Sequence, residues 1–318
     1  MLDITLLGSG GGLPMPQRFL SSMIISYRGR KILLDCGEGT QVSMRKYNTG
    51  FKFLDIICIT HVHGDHIYGL PGLLSTLGNS DRTEPITIIG PRGIEETMDN
   101  IMALVPNLPY ELNIIESPNE QQIFRVDNDV LSKEESIDEF SENLIISTLD
   151  LEHSIDCIGY SFYLTRRPEF ILENATRNNI PQKLWRRLQS GETIVYEGKS
   201  YYPKMVLGDK RPGIKLSYIS DTRPTESSVE FITGSDIFVC EGTYGDDEDL
   251  KKAKLNKHMT FSEAANLAYK AKVSELLLIH FSPSMDNPDI YSNDVKEIFE
   301  NTIIGYDGLR KTLRYNNS

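Results

Sequence analysis

At 318 residues, with 39% hydrophobic and 25% charged, the chain has ample material for a buried core and lacks the composition of a disordered or fibrous protein. No apolar run approaches the roughly 20 residues of a membrane-spanning helix. The net charge of −12 excludes a uniformly basic surface, so a polyanionic partner would have to be met by a local patch. The opening MLDITLLGSGGG has no basic stretch ahead of an apolar run, so no secretory signal and no membrane partner are expected. Cys36, Cys58, Cys157 and Cys240 are far apart, form no CxxC pair and sit in strand-like contexts. They are expected to be buried free thiols in a reducing cytoplasm.

In chain order, the N-terminal third reads as short apolar strands separated by glycine-rich turns: LDITLLG, SSMIISYRG, RKILLDCG and LDIICITH. GLPGLLSTLGN predicts a short helix, PITIIGP a strand and GIEETMDNIMALV an amphipathic helix. Residues 116–143 are polar and mostly acidic and read as a solvated hairpin or loop without chemistry. Strand signals resume at LIISTLDLEH, CIGYSFYLT, KLSYISD and SDIFVCEGTY. SEAANLAYKAKV predicts a helix capped by Ser262, and LLLIHFS a final buried strand. Strand pairs mixed with helices predict an α/β architecture in separate layers.

Arg166 to Lys215 differs in character. It holds eleven basic residues against five acidic ones, a net of +6 that leaves −18 for the rest of the chain. The segment also carries Trp185, Tyr201 and Tyr202. Basic residues interleaved with aromatics on an acidic body suit a device that grips a polyanion.

The chemistry concentrates at THVHGDHIYG (60–69). His61 and His63 are two apart beyond a strand, so in extended backbone they point the same way. Asp65 and His66 follow where the chain turns into a helix. An HxHxDH array is poorly explained by packing, because each buried imidazole or carboxylate without a partner is costly. His153 lies just past a strand, Asp221 ends SYISD and His280 ends LLLIH, so all are candidates for delivery to one rim. Nitrogen and oxygen ligands suit Zn²⁺, with Mn²⁺ or Fe²⁺ possible. A carboxylate such as Asp221 can bridge two ions roughly 3.5–4 Å apart, an arrangement suited to phosphodiester hydrolysis. GSGGG lacks the GxGxxG spacing and reads as a tight loop near the metal site, with Arg18 a candidate RNA contact.

The array followed by distant His, Asp and His resembles the metallo-β-lactamase superfamily. The flanking LLDCGEGTQ, THVHGDHIYGLPGLL, SDTRP, EGTY, KHMT and IHFS resemble the ribonuclease Z family of tRNA 3′-processing endonucleases. The resemblance implies a single four-layer αββα domain over 1–318 with an inserted flexible, RNA-binding arm at about 166–215. It implies two Zn²⁺ per subunit, one on His61, His63 and His153, the other on Asp65, His66 and His280, with Asp221 bridging. Asp65 would orient or deprotonate water, His258 would protonate the leaving 3′-oxygen, and Glu241 would orient His258. Lys183, Trp185, Arg186 and Arg187 are the arm's candidate RNA contacts. The implied substrate is precursor tRNA and the implied assembly a homodimer. The alternative is a small-molecule phosphodiesterase of the same superfamily.

Three features depart from the family pattern. The arm reads IPQKLWRRLQSGE where a Gly-Pro-rich motif is expected, and His258-Met259-Thr260 replaces HST. Pro283-Ser284-Met285-Asp286 follow IHFS in place of an Arg-Tyr pair, leaving Lys257 or Arg18 as candidates for the phosphate contact.

Overall fold

The computed structural model describes residues 1–105 and 107–316. In chain order its strands are β1 (Leu2–Gly8), β2 (Ser22–Tyr27), β3 (Arg30–Leu34), β4 (Leu54–Cys58), β5 (Ile86–Gly90), β6 (Leu112–Glu116), β7 (Gln122–Asp127), β8 (Val130–Glu134) and β9 (Leu144–Asp150). There follow β10 (Ile158–Arg166), β11 (Ile194–Tyr196), β12 (Lys199–Tyr201), β13 (Arg211–Ile219), β14 (Ile237–Glu241), β15 (Leu276–Ile279), β16 (Thr302–Ile304) and β17 (Arg310–Leu313). One sheet runs β17-β1-β2-β3-β4-β5-β6, antiparallel as far as β3 and parallel from there to β6. The other runs β16-β15-β14-β13-β10-β9-β7-β8, parallel from β16 to β13 and antiparallel beyond.

The two sheets stack through side chains of period two. Leu2, Ile4 and Leu6 of β1 and Ile56 and Cys58 of β4 share an inner core with Ile237, Val239, Leu277 and Ile279 of β14 and β15. The alternate residues Leu33, Ile57 and Ile88 face outward onto the helices Thr40–Lys46, Leu70–Gly78 and Ile94–Met102. Phe238, Cys240, Leu276 and Leu278 do the same toward Glu226–Ile232, Phe261–Lys270 and Ser292–Ile298. The expected four-layer αββα sandwich is therefore present. Central strands covered on both faces are continuously apolar, which is why they were readable as unbroken hydrophobic runs. Truncating a fully buried ring such as Phe238 to alanine costs about 3–5 kcal/mol.

Two expectations need correction. The helix Phe261–Lys270 is capped by Thr260, whose hydroxyl accepts the Glu263 N–H at 3.3 Å while Glu263 accepts the Thr260 N–H at 3.1 Å. Ser262 already lies inside that helix. Residues 116–143 are more than a solvated excursion: β7 joins the second sheet beside β9, and its Phe124 and Val126 enter the inner core. Further along, Phe140 packs against the insertion between β10 and β13. That insertion forms a small lobe with its own core of Ala175, Ile180, Leu184, Leu188, Ile194 and Val206. The four cysteines are free and buried, and burial pushes each thiol pKa up. No helix among the described residues is long and apolar enough to cross a membrane.

Candidate metal centre

The site grows from strand ends. β3 and β4 are parallel neighbours, and their C-terminal ends deliver Asp35 and the 59–66 loop to one edge. In the other sheet β13, β14 and β15 are parallel, and their ends deliver Asp221, Glu241 and His280. β9 lies two antiparallel steps from β13, so it runs in the same direction and delivers His153 to the same rim.

The side chains converge as two donor groups about one carboxylate. Asp221 Oδ2 lies 3.5 Å from His61 Nε2 and 3.8 Å from His153 Nε2, while His63 Nδ1 lies 3.3 Å from His153 Nε2. Asp221 Oδ1 lies 3.1 Å from His280 Nε2 and 3.5 Å from His66 Nε2. Asp65 Oδ2 closes the second group, 3.3 Å from His280 Nε2 and 3.6 Å from His66 Nε2. His61, His63, His153 and Asp221 form one cluster able to hold a cation, and Asp65, His66 and His280 another. The donors fit such an ion: His61 Nε2 is buried at the centre without any hydrogen-bond partner, a costly arrangement for a group that nothing coordinates. All seven sequence candidates for metal ligation therefore meet at one place.

Outer partners fix which nitrogen of the His66, His153 and His280 rings faces inward. Asp35, fully buried, accepts His66 Nδ1–H at 2.9 Å, the Thr60 N–H at 2.8 Å and the Tyr218 hydroxyl at 3.2 Å. Thr243 donates its hydroxyl to Glu241 at 2.6 Å and accepts His280 Nδ1–H at 3.0 Å. His153 Nδ1–H donates to the Lys257 carbonyl at 3.2 Å. Asp35, Lys257 and His280 all have positive φ (54°, 56° and 60°), conformations that cost a non-glycine residue roughly 1–3 kcal/mol each and recur at functional sites. Close backbone approach matters too: a Cβ on Gly11 would lie 2.3 Å from the His280 ring, and the Gly12 N–H donates to Asp65 at 2.6 Å. Asp35 and Thr243 were not singled out from sequence. Each stands alone in its motif, although both motifs, LLDCG and EGTY, were legible.

His258 and Glu241 also meet. Glu241 is fully buried and accepts His258 Nδ1–H at 3.2 Å, the Thr222 N–H at 2.8 Å and the Met259 N–H at 3.1 Å. The other ring nitrogen of His258 has no protein partner among the described residues, and the residue lines the cavity over the site. Arg223 ties this loop down, pairing with Glu263 and donating to the His258 carbonyl.

The electrostatics follow from burial and four carboxylates. Burial pushes His61, His63 and His153 below the usual imidazole range. For His66 burial also opposes the charge, but Asp35, then Asp221 and Asp65, outweigh it and hold the pKa up to about 10. For His258 burial is again outweighed, chiefly by Glu241, and the pKa rises to about 9. Burial would raise the Asp65 and Asp221 carboxyls, yet the neighbouring histidines win and keep both ionised, well below the usual range.

The arm candidates lie on the helical turns of the inserted lobe, between His153 and Asp221 in the chain. Lys183, Arg186 and Arg187 are exposed; Lys183 reaches the Tyr196 ring, and Arg187 pairs with Glu192 at 2.8 Å. Trp185 is half-buried against Phe170 and donates its indole N–H to the Ile180 carbonyl at 3.0 Å, so its ring helps build the lobe. Arg18 spends its guanidinium on the carbonyls of Met285 and Asp286, at 3.0 and 3.4 Å, and braces the 282–286 loop.

Residues 2–103 match the sequence profile of a family described as "Anti-Pycsar protein Apyc1". Among solved structures, the short form of human tRNase Z is similar with a TM-score of 0.65 at 23% identity, over 98% of this chain and 99% of that one. The metallo-β-lactamase fold protein YhfI from Bacillus subtilis is similar with a TM-score of 0.67 at 17% identity, over 98% of this chain and all of that one. These likenesses establish the metallo-β-lactamase fold. A relative named ribonuclease Z, from Alkaliphilus oremlandii, is 55% identical over 317 residues, spanning the whole of both chains. With that identity along the full length of both chains, the chain belongs to the ribonuclease Z family.

Proposed function

We propose that this protein is a metal-dependent endoribonuclease that removes the 3′ trailer from precursor tRNA and leaves a 3′-hydroxyl. Its near-complete overlap with a relative named ribonuclease Z supports the substrate. The observation that carries the chemistry is the division of Asp221, one oxygen toward His61 and His153 and the other toward His66 and His280.

In this reading His61, His63 and His153 would hold one divalent ion and Asp65, His66 and His280 a second, with the Asp221 carboxylate available to both. Two Zn²⁺ per subunit suit these nitrogen and oxygen donors, and Mn²⁺ or Fe²⁺ are compatible with them. Bound ions supply the Lewis acidity that makes the attacking water acidic and offsets charge on the phosphate. Asp65, held through Oδ2 by the Gly12 N–H, orients or deprotonates that water. His258 carries a proton at neutral pH and gives it to the leaving 3′-oxygen, while Glu241 holds the imidazolium in place. Lys183, Arg186 and Arg187 meet the tRNA away from the cut, and Trp185 supports the surface they stand on. The working unit in this reading is a cytoplasmic homodimer, which sedimentation of the purified protein tests.

Incubation with a precursor tRNA decides the assignment. Metal-loaded protein is expected to release the trailer, chelator to stop it, and Zn²⁺ to restore it. Asp65→Ala and His258→Ala are expected to lower turnover and leave tRNA binding largely intact. A metal-loaded wild type that leaves the trailer uncut sinks the reading. The rival, a small phosphodiester as natural substrate, is favoured by one observation, the absence of the Arg-Tyr pair after His280. It requires the arm to be dispensable.

A further inference from the structure

A phosphodiester is anionic before and throughout its cleavage, yet the protein groups around this site include the carboxylates of Asp65, Asp221 and Glu241. The cavity over the site, about 500 Å³, is lined by His63, His153, His258, His280 and the two aspartates. Lys257 is the only lysine or arginine among the described residues that line it. This residue is held from three sides. It ends the helix Leu250–Asn256 in a left-handed conformation with φ of 56°, its carbonyl accepts His153 Nδ1–H, and its ammonium donates to the His153 carbonyl at 2.9 Å. That single bond leaves two of the three ammonium protons uncommitted. The other basic side chain near this edge, Arg18, is occupied by backbone carbonyls of the 282–286 loop.

We propose that the Lys257 ammonium binds a non-bridging oxygen of the substrate's phosphodiester in this cavity, making Lys257 a substrate-binding residue of the reaction. The inference rests on the phosphodiesterase chemistry proposed above and does not depend on the substrate being tRNA. Clamping by His153 explains why a lysine is kept in a costly backbone conformation: the clamp aims a point charge that a free surface lysine would not hold. Adjacency to His258 places the captured phosphate beside the group that protonates the leaving oxygen. Because the non-bridging oxygen is charged in both ground and transition states, the contact acts as uniform binding and appears mainly in KM.

The test compares Lys257→Met, which keeps the stem and the backbone requirement, with Lys257→Arg, which keeps the charge. Both are assayed on precursor tRNA and on bis(p-nitrophenyl) phosphate, with metal content measured in each protein. Lys257→Met is expected to raise KM roughly tenfold or more on both substrates, as loss of a charge-assisted hydrogen bond implies. Lys257→Arg is expected to recover most of that loss, and both variants to hold as much metal as the wild type. An unchanged KM in Lys257→Met overturns the proposal. So does a Lys257→Arg protein as impaired as Lys257→Met, or a loss of metal in step with activity, since either makes Lys257 only a brace for His153. A wild type active on the small diester but not on tRNA removes the tRNA assignment and still lets KM judge Lys257.

Discussion

The carboxylate of Asp35 accepts a hydrogen bond from Nδ1 of His66 at 2.9 Å, with both side chains fully buried. This bond decides that Nε2 of His66 faces Asp221 and Asp65. Replacing Asp35 by alanine removes the orienting partner and leaves the Thr60 N–H and Tyr218 hydroxyl unpaired in the interior. Metal affinity is expected to fall about 10- to 100-fold. Stability is expected to fall by about 1–3 kcal/mol for each stranded donor. Metal titration and thermal unfolding of Asp35→Ala measure the two effects separately. A variant that binds metal like the wild type shows that His66 is aimed by packing alone.

His258 and Glu241 set a pH dependence with a definite sign. Burial opposes the charge on His258, but Glu241, followed by Asp221 and Asp65, outweighs it and raises the pKa to about 9, so the protonated form persists through neutral pH. Turnover that needs this proton is full below that pKa and lost as pH rises through it. The same linkage makes the interaction stabilising below the unfolded imidazole pKa and lost as pH climbs toward 9. Glu241→Gln keeps the shape but removes the charge, so the alkaline limb of kcat is expected to move to lower pH. His258→Ala is expected to abolish that limb and lower kcat about 10²- to 10⁴-fold. A Glu241→Gln profile that superimposes on the wild type disproves the coupling.

The inserted lobe makes a separate claim about substrate size. Lys183→Glu, Arg186→Glu and Arg187→Glu together reverse three exposed charges without touching the lobe's core. The triple variant is expected to raise KM for precursor tRNA and flatten its salt dependence, each lost phosphate contact lowering the slope by about 0.9 for a duplex. KM for bis(p-nitrophenyl) phosphate, which cannot reach the arm, serves as the comparison. Equal losses on both substrates show that the lobe acts through the fold and not through RNA. Trp185→Ala is expected to lower the lobe's stability first, because its ring packs on Phe170.

The HxHxDH spacing made four donors legible at once, because closely spaced imidazoles and a carboxylate have few structural explanations. Strand ends made His153, Asp221 and His280 legible, since apolar runs that stop at a polar residue mark one rim of a sheet. Asp35 and Thr243 were harder. Their partners lie 31 and 37 residues away, and a single aspartate or threonine after a strand has no spacing to betray it. Thr260 could have been preferred over Ser262 as a helix cap, for Thr260 and Glu263 form the T-x-x-E pattern of a capping box. In QIFRVD the period-two pair Phe124 and Val126 was masked by the acidic residues around it, so a core strand read as a solvated hairpin. For Trp185 the sequence shows an aromatic among cations but not the Phe170 ring and the Ile180 carbonyl it packs on and bonds to.

Gly11 tests whether the backbone itself positions the site. A Cβ there would lie 2.3, 2.4 and 2.6 Å from the Cε1, Nε2 and Nδ1 atoms of His280, distances that real side chains do not sustain. The His280 ring is itself held by Thr243 on one side and faces Asp65 and Asp221 on the other, so it cannot yield without losing one of them. Gly11→Ala is therefore expected to swing His280 out of the second donor group, weaken metal binding there and lower turnover at least tenfold, although alanine is no ligand and removes none. Gly29→Ala offers the contrast. It lies in the turn between β2 and β3 with φ of 80° and nothing within 4 Å of its Cβ, so it is expected to cost stability through backbone strain and leave metal content unchanged. If Gly11→Ala binds metal and turns over like the wild type, the glycine-rich loop is only a connection, and His280 owes its position to Thr243 alone.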